Sequence, residues 1–441
     1  MATTGRLRGT IHLPADKSIA HRALLFNAMG HGGARVQMHA PGEDVRTTAA
    51  ALATLGLVEV DGDGETVAYR VTGGGTPKGA RLPGTDEIRI DCGNSGTLMR
   101  LLAGAATTRP GRTVLTGDES LSSRPMERVA EPLRSIGASI ATTDGHPPVV
   151  IDGGVTLQPG HHVLRVASAQ VLGAIILASL PTPGLTEITV PGATRDHTER
   201  MLAWLGAHIV RDGYTTRLTG PAAWEPRDIT VPADPSAAAF WLVAGTVHPD
   251  AEITIPHVGL NPTRLGVVRV LERMGAQIET RPSETHGPEP AGDLAVRSAG
   301  NLRAVDLGSD DVADVIDELP VLAVAMAAAT GTSTVSGAGE LRVKESDRIR
   351  LVVDGLQAMG VDATETADGW RITGGALRAS LRSRQPHQDP AIIRTSGDHR
   401  IAMAFAIANL TGVGTRGAVV DDPACAAVSY PAFWQDLESL S

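Results

Sequence analysis

Aromatic side chains are scarce in this chain of 441 residues: three Tyr, four Phe and five Trp make up only 3% of it. Rings usually dominate the buried area of an interior, so Ala and Gly must do much of the packing, which favours close approach of helices. Cysteine is scarcer still. Cys92 and Cys425 have no CxxC partner and no metal-ligand spacing, which excludes a disulfide framework and a thiolate metal centre. Both read as small buried thiols suited to a reducing compartment. No apolar run is long enough to cross a bilayer; the longest, Val171–Leu180 and Leu319–Ala329, stop well short. The start, MATTGRLRGTIHLP, has no apolar leader core and no cleavage pattern. There is no basic surplus either. A net charge of −10 argues against a nucleic acid or an anionic membrane as the main partner. The expectation is a cytoplasmic, monomeric protein with small-molecule partners, long enough for two sizeable domains.

What the chain does have is repetition. Six stretches open alike, at Pro14-Ala15-Asp16-Lys17-Ser18, Gly93-Asn94-Ser95-Gly96-Thr97, Ala167-Ser168-Ala169-Gln170, Pro232-Ala233-Asp234-Pro235-Ser236, Ile316-Asp317-Glu318-Leu319-Pro320 and Gly397-Asp398-His399-Arg400. An apolar, alanine-rich helix pattern follows each, then a strand such as TEITV or GRTVLTG. Most copies continue into a second helix that stops at a glycine, as in DVRTTAAALATLG, MERVAEPLRSIG, HTERMLAWLG, TRLGVVRVLERMG and SDRIRLVVDGLQAMG; Gly just past the last turn is the usual C-cap. The unit reads βαβαββ at a period of roughly 65–85 residues, longer than the common solenoid repeats. Its first helix is apolar all round and should be buried on every face. Its strands alternate polar and apolar, which suits sheets with one face in water. Helices inside and sheets outside invert the usual α/β layering. Leu13-Pro14-Ala15-Asp16 recurs as Val231-Pro232-Ala233-Asp234, so the chain should cross between domains at these two places. The expected domains are residues 13–230, holding units one to three, and residues 1–12 with 231–441, holding units four to six and the first strand. The cleft between them is the default binding site.

The polar chemistry concentrates at the openers. Lys17, Ser18 and Arg22 put two cations at a helix start, where they oppose the macrodipole unless an anion sits there; a solvated basic turn reads the same way. Gly96, in GNSGT, lets backbone amides approach an anion closely, or belongs to an ordinary capped start. Arg100 reads as structural, and Arg124 in SSRPMERV reads by itself as a surface residue. Ser168, Ala169, Gln170 and Thr194 are donor-rich and equally consistent with caps. Asp317 precedes a wholly apolar helix, as a general base or as an ordinary first-turn acid. Lys344, Glu345, Asp347 and Arg348 cluster before a helix, with Lys344 and Arg348 spaced to share a face. Arg400 opens another helix. His399 lacks the second His of a metal site. The run Gly73–Gly79 lacks the spacing of a phosphate loop and reads as a hairpin loop.

Each motif is weak alone, but their order is not. DKSIAHRALL, GNSGTLMRLL, SSRPMERV, SAQVLGAIILA, TRDHTERML, IDELPVLAV, RVKESDRI and GDHRIAMAF together resemble the 5-enolpyruvylshikimate-3-phosphate synthase family of the shikimate pathway. The likeness runs from about Gly9 to SYPAFWQDLE. It implies two inside-out α/β domains, each of three βαβαββ units. It implies transfer of the enolpyruvyl group of phosphoenolpyruvate to the 5-hydroxyl of shikimate 3-phosphate, with no metal or organic cofactor. By the same resemblance, Lys17, Ser18, Arg22, Ser168, Ala169, Gln170 and Thr194 bind shikimate 3-phosphate. Lys17, Gly96, Arg124, Gln170, Arg348 and Arg400 bind phosphoenolpyruvate. Asp317 takes the 5-hydroxyl proton, Lys344 holds a hydroxyl beside it, and Glu345 acts as acid or base at the methylene carbon, with Lys17 the third catalytic group.

Departures from the family pattern are few. Thr194 stands where many members have Ser, and keeps the hydroxyl. Val428 stands where one branch has a lysine contacting phosphoenolpyruvate. Gly96 is the form associated with glyphosate sensitivity. The sister family that uses UDP-N-acetylglucosamine as acceptor usually has a cysteine before its Arg-Pro; Leu115–Arg124 has none. A non-catalytic anion-binding protein on the same scaffold is the third reading, opposed by the joint presence of Asp317, Lys344 and Glu345.

Overall fold

The computed structural model describes residues 5–440 apart from 63, 156, 286 and 376–388. All six openers start helices: Lys17–Met29, Gly96–Ala106, Ala169–Ser179, Pro235–Val247, Leu319–Ala328 and His399–Leu410. Five begin with a side-chain cap. Asp16, Ser95, Ser168, Asp234 and Asp398 each accept a hydrogen bond from a backbone N–H in the first turn, satisfying donors that a helix start leaves unpaired. The helix Leu319–Ala328 instead has Glu318 at its cap position and Pro320 in its first turn, where the missing N–H costs nothing. The second helices end as their glycines predict: Gly56, Gly137, Gly206, Gly275 and Gly360 all have positive φ.

Among the described residues five sheets have four strands each and share one order. In the sheet built on Gly111–Thr116, Ile88–Asp91 pairs with it in parallel, His146–Gly153 pairs antiparallel on its other side, and Ser139–Thr143 lies beyond. The duplication shows in the sheets that begin the two halves. Leu7–Thr10 pairs with Ala251–Gly259, the strand of the fourth unit, and Ile229–Thr230 pairs with Gly33–His39, the strand of the first. Among the described residues the sixth unit has a smaller sheet. Its sheet has two strands, Ala391–Ile393 and Ala418–Val420, and a helix, Phe433–Leu440, closes the chain.

The chain divides into two compact units, one of Met1–Pro14, Pro232–Thr285 and Pro290–Ser441, the other of Ala15–Val231 with His286–Glu289. The crossings therefore fall at Pro14/Ala15 and Val231/Pro232, slightly later than the places the repeated motif suggested. The short stretch His286–Glu289, which the sequence places with the second half, belongs to the inserted unit. Each unit has its own apolar core, built from the first helices of its repeats. Leu319–Ala327, for example, is buried throughout. Small residues set helix spacing in both cores. A Cβ on Gly104 would lie 2.1 Å from the carbonyl oxygen of Ala174, and one on Gly355 would lie 2.2 Å from the ring of Phe405; neither position tolerates a side chain. In the discontinuous unit Phe240, Trp241, Tyr430 and Trp434 surround Phe433 at centroid distances of 5.2–6.0 Å. Both cysteines are buried and unpaired. No helix among the described residues is long and apolar enough to cross a membrane.

Candidate active site

In the inserted unit the first opener folds its basic residues back onto the protein. Asp16, fully buried, caps the amide of Ile19 at 3.0 Å. Lys17 pairs with Asp44, a buried acid in the first turn of the next helix. The Arg22 guanidinium, 3% exposed, donates to the Thr198 hydroxyl at 2.9 Å and to the Ser18 carbonyl at 2.8 Å. Burial pulls the Arg22 pKa down to about 10 against the fields of Glu199, Asp16 and Glu289, and the positive charge of Arg195 pulls the same way. A second guanidinium close enough to be felt marks a place where an anion would relieve repulsion. Arg195 was passed over in the sequence although it sits beside Thr194. The Thr194 hydroxyl is buried with no hydrogen-bond partner among the described residues, which suits a group awaiting a ligand oxygen.

Gly96, Arg124, Arg100 and Gln170 form a second group in the same unit. Arg124 donates to the Asn94 side-chain carbonyl at 2.7 Å and to the Ser120 hydroxyl at 3.1 Å. A Cβ on Gly96 would stand 3.1 Å from one Arg100 nitrogen and 3.4 Å from one of Arg124, so this glycine leaves a slot in front of two guanidinium groups. Arg100 donates to Gln170 Oε1 at 2.5 Å, and Gln170 Nε2 donates to the Thr97 hydroxyl at 2.9 Å. Reading Arg100 as purely structural is therefore too narrow: it orients Gln170, so that the amide turns N–H rather than C=O toward any further partner. Ser168 and Ala169, immediately before Gln170, are half-buried.

The discontinuous unit gathers the charged residues of two openers and of the segment before the helix Arg348–Ala358. Arg348 is fully buried, donating to Asp398 at 2.7 Å and to Glu345 at 2.6 Å. Burial works against its charge, but Asp398, Glu345 and Asp317 outweigh it and hold the guanidinium firmly protonated. Burial likewise works against ionised Asp398, and Arg348 overcomes it. The Asp317 carboxylate lies 3.7 Å from both Lys344 Nζ and Arg348 Nη1, and its backbone carbonyl accepts from Arg400 at 2.8 Å. Lys344 and Arg348 do converge, but not along a helix face. Lys344 follows a 3-10 turn and Arg348 opens the helix Arg348–Ala358, so the bend between them, not helical spacing, brings both to one oxygen. Val428 ends the 3-10 turn Pro423–Val428. Among the described residues no cluster of His, Cys, Asp and Glu could hold a metal ion.

The six openers are not equivalent as anion sites. Asp16, Asp234 and Asp398 already place a carboxylate on their helix N-termini, whereas Ser95 and Ser168 are neutral caps. The unspent positive ends belong to the helices that carry Gly96 and Gln170, and both lie in the inserted unit.

Comparison with known proteins points the same way. Residues 1–437 match the family model described as EPSP synthase (3-phosphoshikimate 1-carboxyvinyltransferase). A 3-phosphoshikimate 1-carboxyvinyltransferase of Geobacillus thermodenitrificans is 43% identical over 436 residues, 98% of this chain and 96% of its own. One of Xanthomonas campestris pv. campestris is 44% identical over 97% of this chain and 93% of its own. The structure of EPSP synthase from Acinetobacter baumannii superposes with a TM-score of 0.83 at 38% identity, covering 99% of this chain and 96% of that one. The enolpyruvyl transferase NikO from Streptomyces tendae, at 18% identity and a TM-score of 0.73, shares the fold. With matches of this extent over the whole inside-out architecture, the chain belongs to the EPSP synthase family.

Proposed function

We propose that this chain transfers the enolpyruvyl group of phosphoenolpyruvate to the 5-hydroxyl of shikimate 3-phosphate and releases phosphate, as a cytoplasmic monomer needing no cofactor. The observation that carries the mechanism is the Asp317 carboxylate, 3.7 Å from both Lys344 and Arg348. Both substrates bring a phosphate and a carboxylate, so the site must neutralise at least four anionic groups. Lys17, Ser18, Arg22, Ser168, Ala169, Gln170 and Thr194 bind shikimate 3-phosphate. Lys17, Gln170, Arg124, Arg348, Arg400 and the slot at Gly96 bind phosphoenolpyruvate. Fixed guanidinium groups are suited to this because they pair with phosphate and carboxylate through two parallel N–H bonds and need no reorganisation during reaction.

In the addition step the 5-hydroxyl oxygen bonds to C2 of phosphoenolpyruvate, its proton passes to Asp317, and a proton is added to the methylene carbon. In the elimination step a proton leaves the new methyl group, the double bond re-forms, and the C–O bond to phosphate breaks. Glu345 accepts a hydrogen bond from Arg348 at 2.6 Å. It serves as acid or base at the methylene carbon, with Lys17 the third catalytic group. Gly96 supports competition by glyphosate, since the slot before Arg100 and Arg124 stays open; a rate unchanged at saturating glyphosate would contradict it.

The test is phosphate release from phosphoenolpyruvate, with shikimate 3-phosphate or UDP-N-acetylglucosamine as acceptor, in the parent and in Asp317→Ala. Release only with shikimate 3-phosphate, lost in the variant, is expected. Release with the nucleotide sugar would reassign the acceptor. Tight binding of shikimate 3-phosphate without turnover would leave a binding protein.

A further inference from the structure

Glu289 lies in none of the motifs. The chain leaves the discontinuous unit after Thr285 and re-enters it at Pro290, and the residues between belong to the inserted unit. Pro288 and Pro290 flank Glu289, so its backbone has little freedom. Its Oε1 sits 2.7 Å from Nδ1 of His197, and both side chains are 2% exposed. A carboxylate buried this deeply is stable only with partners. Besides His197 it has the field of Arg22, whose charged form it favours.

His197 opens the helix His197–Leu205. The next residue, Thr198, accepts the Arg22 guanidinium. On the other side, Asp196 and Arg195 lead back to Thr194, whose buried hydroxyl has no hydrogen-bond partner among the described residues. Glu289 thus grips the residue that separates two parts of the anion pocket. We propose that Glu289 is a positioning residue for shikimate 3-phosphate: by holding His197 it fixes the turn Thr194–Thr198, so that Thr194, Arg195 and Arg22 address one anion. This rests on the assignment of that pocket in the proposed function.

Charge and position make opposite predictions here. Removing a negative charge near an anion site should by itself tighten anion binding, whereas loss of the grip should weaken it. Steady-state kinetics with each substrate varied in turn would separate them. For Glu289→Ala the KM for shikimate 3-phosphate should rise at least tenfold, with kcat and the KM for phosphoenolpyruvate within threefold. Glu289→Gln, which keeps an acceptor for His197 and drops the charge, should return that KM to within threefold of the parent. His197→Phe, which breaks the same contact from the other side, should repeat the split and decides the matter if Glu289→Ala does not fold. An unchanged or lower KM for shikimate 3-phosphate, equal rises for both substrates, or a glutamine variant as impaired as alanine would each overturn the proposal. Arg22→Ala serves as the control: if it leaves the KM for shikimate 3-phosphate untouched, the pocket assignment fails, rather than the role of Glu289.

Discussion

The two copies of Pro-Ala-Asp start helices of the same length, Lys17–Met29 and Pro235–Val247, each with a buried or nearly buried Asp capping its first turn. Their chemistry has diverged. Where the first copy has Lys17, His21 and Arg22, the second has Pro235, Ala239 and Phe240. Ser18 is half-buried and its carbonyl braces Arg22. Its counterpart Ser236 is buried, donates to Glu318 and accepts from Arg264 at 2.8 Å, and Arg264 also binds Asp234 at 2.8 Å. The first opener carries two cations, each engaged by a neighbour, and leaves its serine half-buried, whereas the second locks its serine between Glu318 and Arg264. Duplication copied a backbone device; function then depends on whether the polar groups are left over after the fold has been satisfied.

The sharpest way to break the comparison is to remove the arginine at each opener. Arg22→Ala should raise the KM for shikimate 3-phosphate roughly tenfold to 150-fold, the loss of a charge-assisted bond of about 1.5–3 kcal/mol. Arg264→Ala leaves Asp234 without this cation and Ser236 without this donor and should lower stability by about 3–5 kcal/mol in urea denaturation, with that KM unchanged. A KM rise for Arg264→Ala matching that of Arg22→Ala would show that both copies bind ligand.

The serines repeat the contrast at lower amplitude. Ser236→Ala withdraws one partner from two buried ions and should cost about 1–3 kcal/mol of stability without changing substrate affinity. Ser18→Ala should do the reverse, raising the KM for shikimate 3-phosphate several-fold, by about 0.5–1.5 kcal/mol, with little change in the urea midpoint. Equal stability losses at both positions would remove the distinction.

His21 and Ala239 differ in a way that pH can read. Burial pushes the His21 pKa down to about 3, with Asp44 opposing and Lys17 and Arg22 assisting. In the unfolded chain a histidine titrates at about 6.5. Between those values the unfolded state binds a proton that the folded state refuses, so stability is complete above the unfolded value and is lost as pH falls below it. The slope is about 1.4 kcal/mol per pH unit from this one group. His21→Gln should flatten the decline in urea midpoint between pH 7 and pH 5; an identical slope in the variant would place the acid sensitivity elsewhere.

How much of this was legible in the sequence depends on the range of each interaction. Caps and stops are local, so Asp16, Ser95, Ser168 and the five glycines could be read directly. The inside-out layering followed from helices with no polar face. Long-range partners left no mark: nothing around Asp44 says that it pairs with Lys17, and nothing in GPEP says that Glu289 meets His197. Arg195 had a signal, adjacency to Thr194, but only its effect on Arg22 shows that two cations share one region. Arg100 reads as structural in the sequence, yet one turn of helix brings its guanidinium over Gly96. Helical spacing also misled, since Lys344 and Arg348 converge through a bend.

The smallest effect expected is the most direct check on what makes an opener a site. Pro235→Lys restores to the second copy the cation that Lys17 supplies in the first. Proline is favoured in a first helical turn, and a lysine there opposes the macrodipole while gaining attraction from Asp234, so the stability change should stay within about 1 kcal/mol. The variant should gain no second binding event for shikimate 3-phosphate in a calorimetric titration. Ser236 and Asp234 would remain committed to Arg264, and Ser236 to Glu318, and Phe240 would still stand where Arg22 braces the first copy. A second, weaker site appearing with this single change would mean that one cation at a capped helix start suffices, and that the internal pairing in the second copy is not what silences it.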